Sequence, residues 1–218
     1  MILEFKNVTG KTKHFNLQNI SFTLEPGFIM GLAGKNGAGK STLIDYIMNP
    51  KQQYTGEILI EGVNIRDNHY LMMNRIGFIS DNNNGFLMDK SAKENIELFG
   101  MLYDDWDNER FYQAMQKMNL SPGKVVGRMS RGELFKFQTA FAMAHKPALY
   151  LIDEATAGMD PVFRIDYFKI LQEIIVEENA SILMTSHIQD EIKRKMDFVG
   201  IMEEGKLMEF GETLDIFP

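Results

Sequence analysis

Apolar positions along the chain fall into runs of three kinds, and their order predicts a layout. Residues 2–8 (ILEFKNV) and 18–24 (QNISFTL) alternate apolar and polar side chains, the period-two pattern of strands with one wet face, and a polar turn joins them. Residues 28–34 (FIMGLAG) form a short continuous apolar run, the pattern of a strand buried on both faces. A glycine-rich turn and then STLIDYIMN follow, the latter a helix that stops at Pro50. EILIEG (57–62) and RIGFI (75–79) are further strands. From about residue 82 the period lengthens. Ile96, Phe99 and Leu102, then Phe111, Met115 and Met118, recur at helical spacing over 91–119, with Asp107 as the expected N-cap of the second helix. Ser121-Pro122-Gly123 breaks that pattern, and a long helix is expected from Gly132 to His145, ending before Pro147. Alternation of strand and helix then resumes: ALYLID (148–153), a helix near 161–177, SILMTSH (181–187), a helix near 188–196, DFVGIM (197–202) and KLMEF (206–210).

Strands alternating with helices imply a parallel sheet with right-handed crossovers. The expected fold is α/β in a single domain of 1–218. Residues 1–81 and 147–218 make a parallel-sheet core with an N-terminal antiparallel β subdomain, and 82–146 form an inserted helical subdomain. Composition agrees: 218 residues, 44% hydrophobic and 24% charged, suit one globular unit with a real core. A net charge of −7 disfavours a nucleic-acid-coating role, because such affinity comes from basic surface. With no cysteine, neither a disulfide scaffold nor a Cys-based zinc site can form. The N-terminus carries no signal-peptide pattern, and no apolar run approaches the ~18 residues of a membrane span, so a soluble, cytoplasmic chain is expected. Most of the 16 methionines are expected in the core, with a few at 82–105 left to line a groove for a partner helix.

Chemistry enters at residues 34–41. The sequence GKNGAGKS (Gly34, Lys35, Asn36, Gly37, Ala38, Gly39, Lys40, Ser41), followed by Thr42, fits G-x-x-x-x-G-K-[ST] between a buried strand and a helix. The glycines let the backbone curl so that its N–H groups face phosphate oxygens, and the helix N-terminus adds partial positive charge. Lys40 brings a full charge for the β- and γ-phosphates, and Ser41 a hydroxyl ligand for Mg²⁺. A glycine-rich turn with a surface lysine shares the pattern but not its setting. The core is therefore expected to be a P-loop NTPase core.

LYLIDE (149–154) sets two acids at the C-terminal end of a buried strand, the end where α/β sheets bind ligands. Asp153 is placed for the Mg²⁺ shell and Glu154 to orient the attacking water. ILMTSH repeats the logic with His187, whose imidazole can donate to the γ-phosphate. Ahead of the long helix, Ser130 and Glu133 form a capping-box pattern. That helix N-terminus, with Ser130 and Arg131, can also receive an anion. One triphosphate does not need two such sites, whereas two copies arranged head to tail use both.

These motifs, in this order, resemble the ABC ATPase family over essentially the whole chain. GKNGAGKS stands as its Walker A and LYLIDE as its Walker B. MSRGE (Ser130, Arg131, Gly132, Glu133) stands at the LSGGQ signature, AGMD (157–160) resembles the D-loop with Asp160, and His187 falls on the H-loop histidine. The resemblance implies ATP and Mg²⁺, hydrolysis inside a homodimer or a heterodimer with a similar ATPase, and a helical lobe against a transmembrane permease subunit. It places the chain on the inner face of the cell membrane and implies no nucleic-acid partner. Several residues depart from the family pattern. Arg131 and Glu133 replace a glycine and a glutamine, DEAT stands for DEPT, and Asp81 occupies the Q-loop glutamine position, carried over as a Mg²⁺ or water ligand. Phe15 or His14 stands for the aromatic stacked on adenine. The acidic Q-loop, the WD-containing lobe and the basic signature residue resemble compact bacterial ABC-2-type exporter ATPases, which implies export. The family also contains soluble ATPases acting on nucleic acid or ribosomes, which carry coiled coils or a second cassette absent here, and weakly hydrolysing regulatory cassettes.

Overall fold

The computed structural model describes residues 1–11, 15–49, 51–81, 85–154 and 159–217, with backbone alone at Gln189 and Asp190. The alternating N-terminal segments form β1 (Leu3–Lys11) and β2 (Asn16–Leu24), which pair antiparallel with Leu3 opposite Leu24. β4 (Tyr54–Ile60) pairs antiparallel on the other side of β1, and the short β5 (Val63–Asn64) ends a four-stranded sheet of order β2-β1-β4-β5. The continuous apolar runs became the second sheet. It contains β3 (Ile29–Ala33), β6 (Ile76–Ser80), β7 (Leu149–Asp153), β8 (Ser181–Ser186), β9 (Phe198–Glu203) and β10 (Lys206–Glu212), in the order β10-β9-β3-β8-β7-β6. All pairings from β9 to β6 are parallel, and only edge strand β10 is antiparallel.

Register carries the functional consequence. Ala33 lies opposite Ser186, Ser80 opposite Asp153, and Ile152 opposite Met184. The residues just beyond these strand ends, Gly34, Asp81, Glu154 and His187, therefore emerge along one edge of the sheet, the edge where parallel α/β sheets bind ligands. Alternate strand residues enter opposite cores. Leu149 and Leu151 pack with Leu43 and Ile47 of α1 (Lys40–Met48), while Tyr150 and Ile152 pack with Phe168 and Leu171 of α6 (Pro161–Glu178).

Between β6 and β7 the chain is helical, with α3 (Ala92–Phe99), α4 (Asn108–Lys117) and α5 (Arg131–Ala144) around a core of their own that includes Phe86, Phe111, Phe137 and Phe141. Full burial of each such ring contributes roughly 1.5–3 kcal/mol. Asp107 caps α4 as expected, accepting from the Glu109 and Arg110 backbone N–H groups at 2.8 and 3.2 Å. α5 belongs to two cores: Phe137 and Phe141 face the lobe, whereas Phe135 and Ala142 face the central sheet. Its Gln138 is buried and pairs with the backbone of Ser80, accepting from the N–H at 2.8 Å and donating to the carbonyl at 3.1 Å.

Some elements differ from the sequence expectation. The first of the two helices expected over 91–119 ends at Phe99, and Leu102 falls in a single 3₁₀ turn (Gly100–Leu102), where the Trp106 indole packs against Gly100 so closely that a Cβ there would lie 2.5 Å from the ring. α2 (His69–Asn74) was not expected, since HYLMMN has no helical periodicity. It is started by Asn68, whose side chain accepts from the Leu71 N–H at 3.2 Å. α7 (Gln189–Lys195) follows β8 as anticipated, and a terminal turn, α8 (Thr213–Ile216), follows β10. Among the described residues no helix is long and apolar enough to cross a membrane.

Candidate functional site

Gly34–Gly39 connect the buried end of β3 to α1. Gly34 (φ 154°) and Gly39 (φ 107°) hold backbone angles that L side chains rarely adopt, and a Cβ at Gly34 would come 2.4 Å from the Met202 carbonyl. Lys40 is buried at the first turn of α1. Its ammonium donates to the carbonyls of Gly34 at 2.9 Å and Lys35 at 3.2 Å, so it bridges the concavity of the loop. Burial pushes the Lys40 pKa below the ordinary lysine value, against the opposing pull of Glu154 and Asp153. An ammonium held on neutral carbonyls is poised to exchange them for anionic oxygens. The Phe15 ring lies over Gly39, 2.5 Å from where a Cβ would stand, which puts this aromatic beside the loop; its alternative, His14, lies outside the described residues.

Asp153 ends β7. Its Oδ1 accepts from the Ser41 hydroxyl at 3.0 Å and from the Thr185 hydroxyl at 2.7 Å. Adjacent oxygen ligands of an octahedral Mg²⁺ at 2.0–2.1 Å stand about 3 Å apart, so Ser41 and Asp153 have the chemistry and spacing to share that ion. Thr185, fully buried on β8, also accepts from the backbone N–H of Glu154 at 2.9 Å. One hydroxyl therefore fixes both acids, and sequence reasoning missed it. The only signal was a polar residue inside the apolar run ILMTS. Glu154 itself has φ 50°, a left-handed conformation unusual for glutamate that turns the chain sharply off the strand.

His187 is exposed at the end of β8, one strand from Glu154. The turn behind it is braced. Ser186 Oγ accepts from the Ile188 N–H at 3.0 Å and donates to Glu191 at 3.3 Å, and Glu191 is ion-paired with Arg164 of α6 at 3.1 Å. Asp160 caps α6 by accepting from the Val162 and Phe163 N–H groups at 2.8 and 3.3 Å; residues 157 and 158 of the same motif lie outside the described residues.

The capping box at α5 forms as its sequence pattern predicts: the Glu133 N–H donates to Ser130 Oγ at 3.3 Å, and the Ser130 N–H to Glu133 Oε2 at 2.8 Å. Lys124 ion-pairs with Glu133 at 2.7 Å, and the two together hold the Glu133 carboxyl below its usual range, with the Lys124 bond the larger influence. Glu133 thus serves the helix start of its own chain. Gly132 sits against the Phe163 ring, 3.0 Å from where a Cβ would stand. Arg131 points back across the sheet edge. Its Nε is 2.7 Å from Asp81 Oδ1, and its Nη2 donates to the Glu154 carbonyl at 3.4 Å.

The sequence profile of the ABC transporter family matches residues 17–157. The chain is 31% identical over 207 residues to the bacitracin transport ATP-binding protein BcrA of Bacillus licheniformis, covering 92% of this chain and 67% of that one. It is 32% identical over 232 residues to the methionine import ATP-binding protein MetN 1 of Pseudomonas fluorescens (strain Pf0-1), covering 99% and 69%. These matches span about two thirds of the relatives' own lengths. A solved structure described as the ATP-binding subunit of an ABC transporter superposes with a TM-score of 0.86 at 25% identity, covering 99% of this chain and 92% of the other. The α/β cassette fold, with its antiparallel sheet, parallel core and helices, is shared with it. The chain belongs to the ABC transporter family and is one of its ATP-binding, ATPase cassettes.

Proposed function

We propose that the chain is the ATP-hydrolysing subunit of an exporter, working as a pair of cassettes beneath a separate membrane permease, on the inner face of the membrane. The observation that carries this reading is the double arrangement on one chain. A lysine-bridged glycine loop beside Asp153 and Glu154 forms one half-site. The capped start of α5, from which Arg131 reaches back to Asp81 and the Glu154 carbonyl, forms another. Each half is incomplete alone, and a second copy arranged head to tail completes both.

In this mechanism Lys40 exchanges the Gly34 and Lys35 carbonyls for phosphate oxygens, and the loop N–H groups cradle the rest. Ser41 and Asp153 would hold a Mg²⁺ ion, which would supply neutralisation of phosphate charge. Thr185 sets the rotation of Asp153 and the backbone of Glu154, so that the Glu154 carboxylate orients and polarises water. His187 donates to the γ-phosphate, and Ser130 and Arg131 of the second copy close the site. Phe15, beside Gly39, is the candidate for the adenine contact. The permease contact belongs at the seam between lobe and core, where Met73, Phe78, Phe86, Phe99 and Tyr103 line a cavity of about 270 Å³ and Met101 and Leu102 are exposed nearby. Export rests on the Asp81 and Arg131 combination, which resembles exporter cassettes; the relatives' names include both a bacitracin transporter and a methionine importer.

The test is Glu154→Gln purified from membranes with ATP. It should accumulate an ATP-bound pair together with a membrane protein, and its hydrolysis should fall at least a hundredfold. Unchanged hydrolysis removes Glu154 from its role, and a preparation free of any membrane protein removes the permease.

A further inference from the structure

Two of the departures from the family pattern meet in space. Asp81 follows the last residue of β6 and Arg131 opens α5, 50 positions later, yet Arg131 Nε stands 2.7 Å from Asp81 Oδ1. The same guanidinium donates to the backbone carbonyl of Glu154. We propose that Asp81 and Arg131 form an intrachain latch: Asp81 holds the signature arginine over the hydrolytic residue of its own chain until a triphosphate carried by the partner copy draws the arginine away. This rests on the two-copy reading above. It gives Asp81 a cationic partner in place of the Mg²⁺ assigned to that position by resemblance.

The physical argument is competition for one cation. A guanidinium prefers planar oxyanions, and a triphosphate offers more charge than one carboxylate. The resident pair is built to lose. Both side chains are substantially exposed, 36% for Arg131 and 52% for Asp81, and exposed pairs are worth little. The Arg131 N–H is also not aligned on the carboxylate: Nε is buried without a hydrogen bond although the charges touch. The Glu154 carbonyl contact, at 3.4 Å, is long. Release of Arg131 thus costs little, and it frees the backbone of Glu154 on one side while Thr185 still holds the other. Arrival of ATP at the start of α5 is in this way reported to the carboxylate that serves the chain's own nucleotide. Arg131 acts as a positioning residue toward Glu154.

Two measurements test the latch. In single chains, Asp81→Asn should leave unchanged the Mg²⁺ midpoint for binding a fluorescent ATP analogue; a shifted midpoint makes Asp81 a metal ligand and overturns the latch. In the Glu154→Gln background, light scattering reads the ATP concentration at half-maximal self-association. Asp81→Asn should lower it about two- to fivefold, the range an exposed ion pair spans. With Arg131→Gly also present, Asp81→Asn should change nothing, as a double-mutant cycle requires of a specific pair. If the parent associates and Asp81→Asn has no effect, or has the same effect without Arg131, the latch alone falls. If the parent never associates with ATP, the two-copy reading falls and takes the latch with it.

Discussion

Thr185 offers the sharpest perturbation, because one hydroxyl serves both acids. Thr185→Val keeps the shape and removes only the donor to Asp153 at 2.7 Å and the acceptor for the Glu154 N–H at 2.9 Å. A hydrogen bond to a charged group contributes about 1.5–3 kcal/mol, and an orphaned buried N–H costs about 1–3 kcal/mol. Ser41 continues to serve Asp153, and the valine avoids the cost of burying a hydroxyl, so the net loss should be about 2 kcal/mol. At roughly 2–4 °C per kcal/mol for a chain of this size, Tm should fall by about 4–8 °C. The larger effect should be on turnover. With the Glu154 backbone released and Asp153 held by Ser41 alone, the water and the phosphate lose their mutual alignment, and kcat should drop on the order of tenfold to a hundredfold with a smaller change in KM. Thr185→Ser keeps the hydroxyl and should retain most of both. Phosphate release assayed well below Tm, together with a thermal scan, reads the two effects. The reasoning is refuted if the valine variant turns over normally, or if the serine variant falls as far as valine.

His145 and Ser130 give two further tests. His145 is buried, stacks on Tyr103 with ring centroids 4.1 Å apart, and burial lowers its pKa from 6.5 to about 4. A depressed folded pKa contributes stability that is present above pH 6.5 and lost as pH falls through 4, roughly 3 kcal/mol in all. Urea midpoints at pH 7 and pH 5 should therefore converge in His145→Gln relative to the parent; an identical pH slope in both would rule out the histidine as the cause. Ser130→Ala should cost about 1 kcal/mol for the lost cap, whereas Ser130→Gly should cost only a few tenths. If Ser130 also meets the partner's phosphate, both should lose more than tenfold in turnover; a fully active Ser130→Gly would leave only the cap.

What the sequence made legible was what sequence makes local. The glycine loop, the acids after LYLI, the Ser130 and Glu133 box and the Asp107 cap each depend on neighbours within a few residues, so spacing sufficed. The positive φ of Glu154 was not legible, since it follows from how the chain leaves β7 and from a bond to a residue 31 positions away. Thr185 was hidden because a threonine in an apolar strand is also good strand chemistry. Asp81 and Arg131 each registered as an oddity against the family pattern, but periodicity cannot say that two oddities are neighbours. α2 and the early end of α3 at Phe99 were not legible for a related reason, one depending on a single cap and the other lying beside an indole six residues on from Gly100.

Gln138 gives α5 a fulcrum. Its side-chain amide grips both backbone groups of Ser80, so the helix cannot tilt without dragging the end of β6 or breaking two buried hydrogen bonds. Arg131 lies seven residues toward the N-terminus, about 10 Å along the rod at 1.5 Å per residue. A push on that arm is thus delivered as torque one peptide upstream of Asp81, five residues ahead of Gly85 on the lobe–core cavity.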